Sequence, residues 1–164
     1  MIWLIIFWVC TFCLVHSYVL YPFLLKIFAG DMSIPKPQYH PAPQPMVSVL
    51  MAVYNEEKVV EQKIRSVFNT AYPAAQLEMW IGSDGSTDKT DEIIARLVRE
   101  GYRINFKQFG GRNGKTQIIN AMAPLAAGKI FIPTDANILF EPLTIPKLIA
   151  HFTDEQIGLV AANI

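Results

Sequence analysis

Three stretches of this chain put polar side chains where apolar runs end: Tyr54-Asn55-Glu56-Glu57, Gly82-Ser83-Asp84-Gly85-Ser86-Thr87-Asp88 and Thr134-Asp135-Ala136-Asn137. Asp84 can hydrogen-bond a base or a ribose. Asp135 and Asn137, two positions apart in one turn, can hold a cation between them. Asn137 would bind through its side-chain carbonyl, a legitimate but neutral and therefore weaker oxygen ligand for Mg²⁺ or Mn²⁺ than a carboxylate. Lys115, near a helix start, suits a phosphate or a structural salt bridge equally well. A nucleoside-diphosphate site needs a group for base or ribose, a cation or cation-like donors for two phosphates, and an open side for a second substrate. Taken singly, an Asp at a strand end is more often a turn or cap residue. The joint placement carries the argument.

The elements that must position these residues are legible as alternating apolar runs and amphipathic stretches, the pattern of parallel β/α units. Strands are predicted at Val47–Val53, Leu77–Ile81, Ile104–Phe109, Lys129–Pro133 and Ile157–Ala161. Between them, Val60, Ile64, Val67 and Phe68 recur on one helical face, as do Ile93, Ile94, Leu97 and Val98, which Thr87 or Asp88 can cap. A third helix carries Ile118, Ile119, Met122 and Leu125, and a fourth lies near Leu143 to Phe152. Right-handed crossovers then put helices on both faces of a mostly parallel sheet. Asn55, Asp84 and Asp135 follow the carboxyl ends of strands one, two and four, the edge where open α/β sheets bind ligands.

Two other nucleotide sites compete. Gly110-Gly111-Arg112-Asn113-Gly114-Lys115-Thr116 ends like a P-loop, but the position five before Gly114 is Phe109, and starting at Gly110 leaves the loop one residue short. An ATPase or GTPase stays open because Asp135 after an apolar strand could act as a Walker B carboxylate. A dinucleotide-binding domain fares worse, since the first strand runs into Tyr-Asn-Glu-Glu with no G-x-G-x-x-G.

The chain has 164 residues, 14 Lys plus Arg against 14 Asp plus Glu, and 52% hydrophobic residues with 12% aromatic. That composition excludes a disordered chain, and the balanced charge without a basic block gives no footprint for nucleic acid. The first charge is Lys26, and residues 1 to 25 give about 37 Å of helix at about 1.5 Å per residue, enough to cross a bilayer core of about 30 Å. Without a basic start or a small-residue cleavage site, this run reads as an uncleaved anchor over residues 1–29. Lys26 and Lys36 on its carboxyl side put the following domain in the cytoplasm by the positive-inside tendency. Cys10 and Cys13, inside the apolar run, read as small packing residues, and His16 as a neutral packing residue. Prolines 35, 37, 41, 43 and 45 make residues 30–46 an extended linker.

From Val47 to Ile164 the chain resembles the family 2 inverting glycosyltransferases with a GT-A fold. The motifs occur in order: VSVLMAVYNEE at the first strand, GSDGSTDKT after the second, NGKTQIINAM in the loop and helix, and PTDAN after the fourth. The resemblance implies that Tyr54, Asn55 and Glu56 border the nucleobase and that Asp84 contacts base or ribose. It also implies that Asp135 and Asn137 are the outer positions of a D-x-D, contacting the sugar nucleotide and holding Mg²⁺ or Mn²⁺, with Asn137 replacing the second acid. The implied reaction is direct displacement at the anomeric carbon of a nucleotide-sugar, by family tendency a UDP-sugar, with a glycan or lipid-linked acceptor. The acceptor-side base and the Q-x-x-R-W motif of processive members are expected beyond Ile164, so 47–164 is expected to be the donor-binding half. Asp154 and Glu155 read as a solvated loop rather than as that base. A non-catalytic, membrane-anchored nucleotide-sugar-binding module is the other reading.

Overall fold

The computed structural model describes residues 1–28, 44–154 and 156–162, and two compact units divide the chain, Met1–Lys36 and Pro37–Ile164. The first unit is one helical rod over Ile2–Phe28, long and apolar enough to cross a membrane, as the core helix of a soluble protein or a signal sequence can also be. It consists of α1 (Ile2–Val15), a π-helical stretch at His16–Leu20, and α2 (Tyr21–Phe28). The widened turn begins at the first strongly polar side chain of the rod, His16. Cys10 and Cys13 are free thiols on its exposed surface. Residues 30–43 of the expected proline linker, with Lys36, lie outside the described residues.

In the second unit, β1 (Val47–Val53), β2 (Leu77–Ser83), β3 (Ile104–Gln108) and β4 (Ile130–Thr134) form one parallel sheet in the order β3-β2-β1-β4. The chain winds outward from β1 through β2 to β3, then returns to β1's other side, so the winding reverses between β1 and β4. The register starts β1, β2 and β4 level at Val47↔Leu77 and Val47↔Ile130; β1 and β2 end together at Val53↔Ser83, and the edge strand β4 ends at Thr134 opposite Met51.

Helices cover both faces, as the sequence predicts. Val47, Val49, Met51 and Val53 alternate onto one face, against the stripe Val60, Ile64 and Val67 of α3 (Val60–Phe68). Ile94 and Leu97 of α4 (Thr90–Arg99) and Ile145 and Ile149 of α6 (Thr144–Ala150) join the same core. Each fully buried aliphatic side chain of this kind contributes about 2 kcal/mol. The opposite face meets α5 (Lys115–Met122) through Ile118 and Met122, and Gly82 admits those side chains to the sheet. α4 follows the helix-dipole preference, with Asp91 and Glu92 in its first turn and Arg96 and Arg99 in its last.

The fifth strand expected over Ile157–Ala161 does not form. Residues 157–162 make no ladder, and Leu159 is 83% exposed. Apolar composition marks a segment that could pair, but a strand exists only where a neighbour supplies N–H and C=O partners, and among the described residues β4 pairs with β1 alone. Asp154 is partly exposed in a turn and accepts from Gln156 N–H at 2.9 Å, while Glu155 lies outside the described residues.

Candidate functional site

The loops after β1, β2 and β4 meet at the carboxyl edge of the sheet. Asn55 holds a left-handed backbone (φ 54°), a conformation that Asn tolerates better than most residues. Its backbone N–H donates to Ser86 Oγ at 3.2 Å, and its Oδ1 accepts from Thr87 N–H at 2.8 Å. Glu56 N–H donates to Thr90 Oγ1 at 2.8 Å, and Glu57 N–H to Asp88 Oδ2 at 3.1 Å. Asp88 Oδ1 takes the N–H and hydroxyl of Thr90, the first residue of α4, at 3.0 and 2.6 Å; the N-cap position expected of Thr87 or Asp88 is Lys89, which makes no side-chain cap. The first loop is thereby sewn to the second, and Tyr54 projects from their junction with its ring beneath the Arg112 guanidinium, 4.3 Å from the centroid.

Asp84 is nearly buried, 8% exposed, and both its carboxylate oxygens are engaged. Oδ1 accepts from Asn113 N–H at 2.7 Å and Asn113 Nδ2 at 3.2 Å, and Oδ2 accepts from Gly114 N–H at 2.9 Å. The two backbone donors hold its carboxyl below the ordinary range, outweighing desolvation, with lesser help from the Asn113 amide and Arg112. Gly114 takes φ 82°, which glycine adopts without strain, and α5 begins at the next residue. This arrangement differs from a P-loop, whose backbone N–H groups face a phosphate: here Asn113 and Gly114 point theirs at Asp84.

Held this way, the loop sends Lys115 across the edge to Asp135, Nζ to Oδ1 at 2.5 Å, with both side chains about half exposed. Asp135 begins a turn in which Ile138 N–H reaches back to its carbonyl at 3.4 Å, and Asn137 is exposed on that turn. One carboxylate and one amide carbonyl are hard oxygen donors suited to Mg²⁺ or Mn²⁺. No group of three His, Cys, Asp or Glu among the described residues could enclose a metal. The donor set therefore fits a cation shared with substrate phosphates rather than one caged by protein. A cleft of about 660 Å³ opens beside Asp135, lined among others by Lys115, Thr134, Phe140, Lys147 and His151. Tyr54, Asn55, Glu56 and Asp84 do not line that cleft.

One residue absent from the sequence reading belongs here. Lys63 of α3 is fully buried, and its Nζ donates to Thr134 Oγ1 at 2.9 Å and to Ile138 O, with the Phe140 ring 3.8 Å away. Burial lowers its pKa to about 8, against the opposing pull of Asp135. The signal was present: Lys63 falls on the stripe of Val60, Ile64 and Val67, where a charge is out of place.

Comparison with known proteins agrees with this architecture. Residues 48–164 match the glycosyl transferase family 2 model. Over 118 residues the chain is 33% identical to a beta-monoglucosyldiacylglycerol synthase of Nostoc, covering 71% of this chain and 25% of that one. Over 154 residues it is 26% identical to the probable glycosyltransferase YdaM of Bacillus subtilis, covering 92% and 37%. It thus spans about a quarter to two fifths of the length of these curated relatives. Among solved structures, a Pyrobaculum calidifontis mannosyltransferase in complex with GDP-Man and Mn²⁺ superposes with a TM-score of 0.74 at 24% identity, over 85% of this chain and 41% of that one. S. aureus TarS 1-349 in complex with UDP-GlcNAc superposes with a TM-score of 0.60 at 25% identity, over 67% and 31%. The sheet order, the polar loops at its carboxyl edge and a family match spanning almost all of the second unit converge: the chain belongs to glycosyl transferase family 2.

Proposed function

We propose that residues 47–164 form the donor half of an inverting glycosyltransferase, anchored by residues 1–29 with residues 30–46 as spacer and the domain on the cytoplasmic side. The donor is a nucleotide-sugar, with UDP as the carrier, and the acceptor is a glycan or a lipid-linked sugar. The observation that carries this reading is the line from Asp84 through the Asn113–Gly114 loop to Lys115 and Asp135, which ties the nucleoside end of the edge to the phosphate end. The GDP-Man complex of the Pyrobaculum mannosyltransferase and the UDP-GlcNAc complex of TarS support a nucleotide-sugar donor; UDP itself rests on the family tendency.

In this reading Tyr54, Asn55 and Glu56 border the base, and Asp84 serves base or ribose directly or through the loop it closes. Lys115 meets the diphosphate, and Asp135 and Asn137 hold Mg²⁺ or Mn²⁺. When bound, that cation supplies Lewis-acid neutralisation of the departing diphosphate. The chain's own residues orient the donor and present positive charge where negative charge develops. No described residue is assigned as the base that takes the acceptor's proton.

The test is a thermal-shift titration of the detergent-solubilised chain with UDP and Mn²⁺ against ATP and Mg²⁺. Ligand at a hundred times its dissociation constant stabilises by about 2.7 kcal/mol. UDP-selective protection that Asp84→Ala and Asp135→Ala both abolish is expected; protection by ATP alone would refute the reading.

A further inference from the structure

A lysine on the buried stripe of α3 calls for an explanation. Val60, Ile64 and Val67 around it are all fully buried, and an apolar side chain there would continue the stripe without the cost of desolvating an ammonium. What Lys63 does with its donors is specific. It reaches Thr134, the residue before Asp135, and the carbonyl of Ile138, the residue after Asn137, while its remaining face rests on the Phe140 ring. The bonds therefore bracket the Asp135-Ala136-Asn137 turn on both sides. Ser66, one helical turn on, continues the seam by accepting from Phe140 N–H at 3.1 Å. Within the turn itself the Ile138-to-Asp135 hydrogen bond is long, 3.4 Å, so the turn's own bonding is weak.

We infer that Lys63 is a positioning residue of the donor site: from inside the core it clamps both ends of the Asp135–Asn137 turn and so fixes the spacing of the two oxygen donors. This rests on the reading that Asp135 and Asn137 share a cation with the donor. It adds that the geometry of a pair containing one neutral ligand is set from beneath by a buried ammonium. Groups that orient metal ligands typically change affinity about 10- to 100-fold when removed.

The experiment is Mn²⁺ binding in the presence of UDP, followed by the electron paramagnetic resonance of free Mn²⁺, on the full chain in detergent. Lys63→Met keeps length and volume while removing the donors. It is expected to lose at least about tenfold in Mn²⁺ affinity while keeping its circular dichroism and thermal transition. Thr134→Val, which removes one acceptor of Lys63 together with the hydroxyl's long 3.5 Å bond to Asp135 O, is expected to lose less in the same direction, and it carries the test if Lys63→Met does not fold. In an Asp135→Ala background Lys63→Met should cost nothing further, whereas a residue serving only the core would leave the two effects independent. Wild-type affinity in folded Lys63→Met or in Thr134→Val, or independent effects in the double variant, overturns the inference and leaves the donor reading standing. Failure of the wild-type chain to bind Mn²⁺ with UDP overturns that reading and the inference with it.

Discussion

Lys115 and Asp135, twenty positions apart in sequence, form an ion pair of 2.5 Å between α5 and the turn after β4. Both partners are about half exposed, so the pair adds little to stability, at most about 1 kcal/mol. Under the proposed function its importance is competition, because the ammonium sits on the Asp135 oxygen that the cation would use.

Lys115→Ala is accordingly expected to shift the melting temperature by less than about 4 °C. The same variant should bind Mn²⁺ alone more tightly than wild type, since Asp135 is released, yet bind UDP with Mn²⁺ more weakly, since the diphosphate loses its lysine. Parallel Mn²⁺ titrations with and without UDP measure both, and a loss in both conditions would contradict this account.

Asp84 supplies a pH dependence. Its folded pKa lies below the unfolded value of about 3.9. The stability it contributes is therefore fully present above that value and lost as pH falls through the folded one. Glu61, drawn down by Arg65 and then Arg96, and Asp88, where hydrogen bonds led by the Thr90 hydroxyl outweigh desolvation, act in the same sense. Melting temperatures should hold from pH 7 to about 4 and then fall. An Asp84→Asn variant isolates the loop: it should be less stable than wild type at neutral pH, with the gap narrowing below about pH 4. A gap that does not change with pH would deny the carboxylate this role.

Gly128 makes a close approach at the opposite end of the sheet. Its N–H donates to Ser48 Oγ at 2.8 Å, and a Cβ there would stand 2.4 Å from that oxygen and 2.5 Å from the Ser48 backbone nitrogen. The backbone cannot yield as a side chain would. Ser48 also donates to buried Glu78 at 2.6 Å, so the displacement would disturb a polar network as well. Gly128→Ala is expected to destabilise by about 3 kcal/mol, measured by thermal unfolding, while Gly110→Ala, whose Cβ meets nothing within 4 Å, should be near neutral.

The strands that carry the site were legible because each is a short apolar run closed by polar turn residues, and β1 keeps the boundaries Val47–Val53 that the pattern suggests. The helices were legible from apolar spacing such as Val60, Ile64 and Val67. The expected fifth strand was not decided by its own residues, because pairing is a property of two segments. At the site, Asn55, Asp84 and Asp135 fell where chain reversals at strand ends put them. The partners of Asp84 were hidden, since Asn113 and Gly114 reach it through backbone N–H groups that every residue but proline carries. Lys63 was missed for the converse reason: a helix stripe is read through its apolar members, and the exception passes as a surface residue until the fold closes over it.

The strand order β3-β2-β1-β4 also works as a ruler. β2 and β4 flank β1, and β4 ends two residues earlier, so the positions that follow them stand about 10 Å apart across the sheet and about 7 Å apart along it. Under the proposed function, that separation divides Asp84 at the nucleoside end from Asp135 at the diphosphate end. A ligand must then be long enough to touch both gauge points, which selects nucleoside diphosphates over monophosphates by length before any base or sugar is read.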